Sequence, residues 1–373
     1  MIYLDNSATT YPKPLNVRNA VRSAIEIYGA NPGRGGHKMA VRAGEAVYNV
    51  RKKVAELVNS RAENVIFFSS CTAAINQVLF GKLKPGDHVV VSDMEHNAVM
   101  RPLEALRSRG VDYSIAETFP EDNDKTVLSF RGAMRSNTKL IVATAASNVW
   151  GIRLPIERLA ALAHLYDAEI CVDAAQAAGV IPLDASGFDY LCFPAHKGLY
   201  GLMGLGVLVT DKGAGLEPII YGGTGVNSVS FSQPEDGPER FESGTVNVPG
   251  IIALGAGIDF VRSQGLDNIR RSEVRKVNYL WHQLRKIPWI QTYTGEPRDP
   301  FYVPVLSFTA GERTGDLAAY LAKNNVAVRE GFHCAPSAHR KMHTENGAVR
   351  VSVSAFTKGE EMEQFVKLLK RFR

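Results

Sequence analysis

Leu140-Ile141-Val142-Ala143-Thr144, the amphipathic segment from Glu157 to Tyr166 and Ile170-Cys171-Val172-Asp173 together decide the fold. A continuous apolar run, a helix-period stretch and a second continuous apolar run describe a strand, a crossover helix and a parallel strand buried on both faces. The pattern extends outward. Val65-Ile66-Phe67-Phe68 precedes a helical stretch from Ala73 to Phe80, and Lys84-Pro85-Gly86-Asp87 is a turn before the strand His88-Val89-Val90-Val91. Leu205 to Val209 supplies a further strand. Strands alternating with helices predict an α/β architecture with a mainly parallel sheet.

Past Val248-Pro249-Gly250 the rhythm changes. One long helical pattern runs from about Ile252 to Leu284, followed by strand-like Tyr302 to Phe308, Val326 to Val328 and Val349 to Val353, then a terminal helix from about Lys358. This reads as a smaller α+β domain, and the expected division is a large domain over 15–250 with a small one built from 1–14 and 251–373. Thr224 to Pro238, rich in Gly, Ser, Asn and Pro, reads as a loop.

Composition narrows the class. With 373 residues, 45% hydrophobic, 22% charged and a net charge of +5, the chain fits an ordinary globular protein, and no basic run suggests nucleic-acid binding. No apolar stretch reaches the roughly 18 residues of a spanning helix, and the start carries no signal-peptide pattern. The four cysteines show no CxxC pair. The expected compartment is the cytoplasm.

The chemistry-bearing residues fall at the ends of the strands, where open α/β sheets bind ligands. Ile170-Cys171-Val172 ends in Asp173-Ala174-Ala175-Gln176. Twenty-four positions later, Phe193-Pro194-Ala195-His196-Lys197-Gly198 places a lysine in an apolar, glycine-rich segment. A buried carboxylate needs a cation, and burial lowers a lysine's pKa. These are the two requirements of a pyridoxal phosphate (PLP) enzyme, with the lysine forming a Schiff base and the carboxylate keeping the pyridine nitrogen protonated. Ser69-Ser70-Cys71-Thr72, between a strand and a helix, suits a phosphate; by itself it equally suits an N-cap. Glu95-His96-Asn97 and Ser147-Asn148 follow strands. His96 is placed to cover a ring or move protons, and Asn148 or Gln176 to bond a phenolic oxygen. Cys334 lies in the turn-rich Val328-Arg329-Glu330-Gly331-Phe332-His333-Cys334, where Arg329 and His333 would suit a thiolate nucleophile, although taken alone the segment reads as a free surface thiol. Arg350, on a predicted strand, suits bidentate capture of a carboxylate, and taken alone reads as a surface salt-bridging arginine.

Taken together, these segments resemble the PLP-dependent cysteine desulfurases and selenocysteine lyases of the class V aminotransferase type, in the branch whose cysteine sits in a short loop. Further matches are Leu4-Asp5-Asn6-Ser7-Ala8-Thr9-Thr10, Asn31-Pro32-Gly33-Arg34-Gly35-Gly36-His37 and Arg240-Phe241-Glu242-Ser243-Gly244-Thr245. The resemblance implies the fold type I of PLP-dependent transferases, with a sheet of the seven-stranded type. It implies conversion of L-cysteine to L-alanine, with a persulfide on Cys334. Lys197 would hold PLP and shuttle the Cα proton. Asp173 would pair with the pyridine nitrogen, Gln176 with the phenolic oxygen, and His96 would stack on the ring as acid and base. Cys71, Thr72 and His196 would line the phosphate site, with Thr245 reaching in from the second subunit of a homodimer. Asn148 and Arg350, with Arg329 and Asn31, would contact the substrate. A sulfur-acceptor protein would be a partner. Other readings of the same residues are a selenocysteine lyase, a cysteine sulfinate desulfinase, a class V aminotransferase and a sulfur-carrier or regulatory subunit that binds PLP only for stability. The chain departs from the family pattern at Pro194, Cys71, Glu330 and Phe332.

Overall fold

The computed structural model describes residues 1–33 and 35–372; Arg34 of the Asn31–His37 segment lies outside them. Seven strands form the large sheet in the order Val65–Phe68, Gly206–Val209, Tyr190–Pro194, Glu169–Asp173, Thr138–Thr144, His88–Ser92, Asp112–Ala116. Gly206–Val209 runs antiparallel to both its neighbours, and the other pairings are parallel. The five inner strands are buried at nearly every position, because helices cover both faces. Helix Ile156–Leu165 is the crossover between Thr138–Thr144 and Glu169–Asp173, as the sequence pattern predicts.

A second sheet orders Arg329–Gly331, Ala348–Ser352, Val305–Thr309 and Gln291–Thr292, all antiparallel. Its core gathers Leu280, Phe308, Val351, Phe365 and Leu369. The chain's start joins this region: Ile2–Tyr3 pairs with Val326–Ala327, and Ser352 N–H donates to Leu4 O at 2.7 Å.

One expectation is corrected. The single helical run from Ile252 to Leu284 is two helices, Val248–Gln264 and Leu266–Leu284. They break at Gly265, whose φ of 79° is left-handed backbone that glycine adopts without steric cost. A helix-period hydrophobic pattern does not register one residue of changed φ, so the break is invisible to periodicity. The first of these helices also presses on the lysine-bearing turn. A Cβ at Gly257 would lie 1.9 Å from Leu199 O, so only glycine permits this approach.

Candidate active site

The C-terminal ends of the parallel strands open into one cleft, lined by Ser70, Cys71, Thr72, His96, Asn148, Asp173, Gln176, Pro194, His196 and Lys197. Each arrives for a local reason. Asp173 is the last residue of its strand, 3% exposed, and its Oδ1 accepts the Ala175 N–H at 2.9 Å. Lys197 follows strand Tyr190–Pro194 in a turn closed by Tyr200 N–H to Lys197 O at 2.9 Å. That turn is also tied to the chain's start, since Thr10 Oγ1 donates to the carbonyls of His196 and Lys197 at 3.1 Å each.

Electrostatics set the protonation states. Burial lowers the Lys197 pKa, with Asp173 acting against that shift. Burial also lowers the pKa of His96 and brings that of His196 down to about 4, so both rings are neutral near pH 7. His96 is the N-cap of helix Asn97–Arg107, and its Nδ1 accepts the Ala98 N–H at 3.0 Å. A neutral ring whose Nδ1 accepts must carry its proton on Nε2. Helix formation therefore fixes the tautomer of the candidate acid–base residue.

The phosphate segment divides its labour differently from the sequence reading. Ser70 caps helix Cys71–Lys82 through Ala73 N–H to Ser70 Oγ at 3.1 Å. Thr72, the second residue of that helix and exposed, is left facing the cleft at the positive end of the helix dipole. Cys71 Sγ lies 3.8 Å from Asp173 Oδ1, and burial, reinforced by that carboxylate, pushes its pKa well up. The thiol is thus a neutral neighbour of Asp173. Contributors missed from sequence include Thr144, Ala146 and Gly204, ordinary strand-end and loop residues with no chemical signature of their own.

The cysteine loop borders this cleft. Asn97 N–H donates to Cys334 O at 2.7 Å, and Asn148 Nδ2 donates to His333 O at 2.8 Å. Cys334 is half-buried, with Arg329 Nη2 at 3.8 Å from Sγ. His333 does not act as the expected counter-charge. Its ring is 2% exposed, turns toward His339 and Arg329 O, and burial brings its pKa down to about 3. Arg350 is 1% exposed; its Nη1 donates to Asn148 O at 2.9 Å and its Nη2 to Asp5 Oδ1 at 2.8 Å. Asp5, from the Leu4–Thr10 segment, therefore orients the arginine, a role with no signal in spacing.

Asn31 and Thr245 lie elsewhere. Asn31 Nδ2 donates to Thr245 Oγ1 at 3.3 Å, and neither lines the cleft of its own chain. The segment carrying Thr245 is anchored by Glu242, which takes paired bonds from Arg51 at 2.8 and 2.7 Å and the Phe67 N–H at 2.7 Å.

With that geometry in view, comparison with known proteins is direct. A description of the class-V aminotransferases matches residues 2–365. The chain belongs to that family. Among class-V relatives, a probable cysteine desulfurase of Methanothermobacter thermautotrophicus is 34% identical, with 97% of this chain and 92% of that protein covered. The apo structure of a cysteine desulfurase from Thermococcus onnurineus NA1 superposes with a TM-score of 0.92 at 31% identity, covering 99% and 94% of the two chains. The Escherichia coli cysteine desulfurase CsdA, crystallised as an S-sulfonic acid, gives 0.88 at 26%, covering 99% and 94%.

The cleft fits the class-V cofactor, PLP. His196 Nδ1 and Asn148 Oδ1 are buried cleft atoms without a hydrogen-bond partner among the described residues, which a bound polar ligand would supply. A lysine of lowered pKa, a carboxylate at a strand end, a helix N-terminus and a neutral histidine converge on the same space.

Proposed function

We propose that the protein is a PLP-dependent cysteine desulfurase that converts L-cysteine to L-alanine and collects the sulfur on Cys334. One observation carries this reading: the loop of the half-buried Cys334 is hydrogen-bonded to Asn97 and Asn148, at the rim of the cleft that holds Lys197 and Asp173. An aminotransferase needs no thiol there.

When bound, the cofactor supplies an electron sink for the pair left at Cα once its proton departs. The chain's residues do the rest. Lys197 would attach the cofactor and, once freed, take the Cα proton on Nζ. Asp173 would face the pyridine nitrogen as its counter-charge, with Gln176 toward the phenolic oxygen. Thr72, Cys71 and His196 would surround the phosphate. Arg350, held by Asp5 through one nitrogen, retains further N–H groups for a carboxylate, with Asn148 beside it. Cys334 Sγ then attacks the substrate sulfur: the new S–S bond forms as Cβ–S breaks, and the electron pair stays with the carbon fragment. Arg329 is the cation near Sγ that would favour the thiolate.

A place for Thr245 and Asn31 at the cleft of a second copy is supported by their surroundings. Both sit outside their own cleft, and the neighbouring surface exposes Met39, Tyr48, Tyr221, Val229 and Phe231. A second copy covering this face would bring Thr245 to its partner's site, making a homodimer the working unit. Among the described residues, no helix is long and apolar enough to cross a membrane, in line with a cytoplasmic place. A division into 15–250 and 1–14 with 251–373 is supported by the separate seven- and four-stranded sheets, although Ile251, Leu254 and Ile258 pack into the core of the large sheet. A separate protein would accept the sulfur.

The test is to mix the PLP-loaded protein with L-cysteine, without reductant, and digest it. Alanine in solution with an added sulfur atom on Cys334 is the expected result. A keto acid with no mass change at Cys334 would instead indicate an aminotransferase. Turnover of selenocysteine without turnover of cysteine would indicate the lyase.

A further inference from the structure

Behind the cysteine loop lies a line of polar groups that the proposed reaction does not use. His339 is 1% exposed, at the end of the short helix Pro336–Lys341, beside the rings of Trp150 and Phe332 at 5.6 and 5.5 Å. Its Nε2 lies 3.3 Å from His333 Nδ1, the two ring planes differing by only 12°. Its Nδ1 lies 2.8 Å from Thr344 Oγ1. His333 Nε2, in turn, lies 3.3 Å from Arg329 O.

The direction of these bonds follows from one end. A carbonyl oxygen can only accept, so His333 Nε2 must carry a hydrogen and donate to Arg329 O. A neutral His333 then has a bare Nδ1, which needs a donor, and His339 Nε2–H is the one in place. That leaves His339 Nδ1 bare and accepting from the Thr344 hydroxyl. The hydroxyl is also 3.3 Å from His339 O, but its single hydrogen has the shorter path to the ring. The arrangement Thr344 to His339 to His333 to Arg329 O satisfies each group with both rings neutral. Burial, which lowers both ring pKa values, favours that state.

What this line holds is unusual backbone. His333 and Cys334 have φ of 50° and 56°, two consecutive non-glycine residues in the left-handed region. Such residues persist only where surrounding contacts determine them. The carbonyls of the pair are fixed by Asn148 and Asn97, and the side chain of His333 by His339. The same line ends on the carbonyl of Arg329, whose guanidinium lies 3.8 Å from Cys334 Sγ.

We infer that His339 is a positioning residue for Cys334: its Nε2–H fixes the tautomer and seat of His333, and through it the left-handed turn and the Arg329–Cys334 approach. The inference rests on the desulfurase reading only for its consequence in turnover.

The test compares PLP-loaded His339→Phe and His339→Gln proteins. Phenylalanine keeps a ring beside Trp150 and Phe332 but donates nothing; glutamine keeps an N–H at the end of the side chain. Three rates are read: iodoacetamide alkylation localised to Cys334, persulfide formation from L-cysteine, and exchange of the Cα hydrogen of L-alanine with deuterated solvent. In His339→Phe the first two fall by about tenfold, the scale of one oriented hydrogen bond, while exchange at Cα, which does not involve the thiol, stays at the wild-type rate. His339→Gln recovers most of the loss. Thr344→Val, which removes the first donor without touching a ring, slows alkylation in the same direction and serves if His339→Phe does not fold. Wild-type alkylation in Thr344→Val and His339→Phe overturns the inference, as does an equal loss in His339→Gln and His339→Phe, which would mean that only the shape of the imidazole matters. Should wild-type protein form no persulfide, the desulfurase reading fails, yet the alkylation rates still decide the role of His339.

Discussion

The lysine cleft and the cysteine loop are a few residues apart in space and are built on opposite principles. The cleft is made by burial. Continuous apolar strands deliver Asp173 and Lys197 to one edge, and removal from water does the chemical work by lowering the lysine's pKa and keeping His96 and His196 neutral. The loop is made by hydrogen bonds. Cys334 stays half-buried on backbone held in the left-handed region by Asn97, Asn148 and the His333 contacts. The difference implies that the two regions can fail separately: damage to the loop leaves proton chemistry and ends sulfur transfer, whereas damage to the cleft ends both.

The largest expected effect breaks both together. Lys197→Ala abolishes cofactor attachment, Cα exchange of L-alanine and persulfide formation, a loss of at least about 10⁴-fold for a group that serves as both attachment point and base. Absorbance of the PLP-loaded protein and exchange followed by NMR would check it. Next, Cys334→Ser ends persulfide formation while Cα exchange continues within about twofold of wild type; parallel loss of exchange would mean that the regions are not separable. Asp173→Asn is expected to lower both activities by about 10²–10³-fold, since an uncharged partner no longer holds the ring cationic; its protein should still bind PLP, as read by titration. Arg329→Gln sharpens the loop side alone, slowing Cys334 alkylation by about three- to tenfold with exchange unaffected.

The smallest effect concerns stability behind the lysine-bearing turn. Burial pushes the Glu273 carboxyl up to about 8, and its Oε1 sits 3.3 Å from Tyr200 Oη. A folded-state pKa above the unfolded value means the native state holds a proton that the unfolded chain releases. Its stabilising contribution is thus complete below the unfolded carboxyl value and is lost as pH rises through about 8. Glu273→Gln should therefore flatten the fall in melting temperature between pH 5 and 9, gaining about 2–4 °C over wild type at the alkaline end. Parallel melting curves for the two proteins would refute this assignment.

Legibility from sequence divides along the same line. The strands that build the cleft are continuous apolar runs, and their ends announce Asp173 and Lys197, because hydrophobic periodicity and residue type are local properties. The loop gives no such signal. Nothing in Gly331-Phe332-His333-Cys334 states that two successive residues have positive φ, or that His333 turns from the thiol toward His339; those follow from contacts with Asn97, Asn148 and Arg329 that only the fold assembles. Resemblance to a family marked Cys334, whereas composition and spacing allowed only a reactive thiol. The Asp5–Arg350 pair spans nearly the whole chain and was equally hidden. Gly265 shows the reverse case, in which a residue visible in sequence ends a helix that periodicity had carried through.

The account stands on Lys197 as the point of attachment. Protein loaded with PLP, reduced with borohydride and digested should yield a single pyridoxyl-bearing peptide, modified at Lys197. The same label on another lysine, or on none, would contradict the central claim.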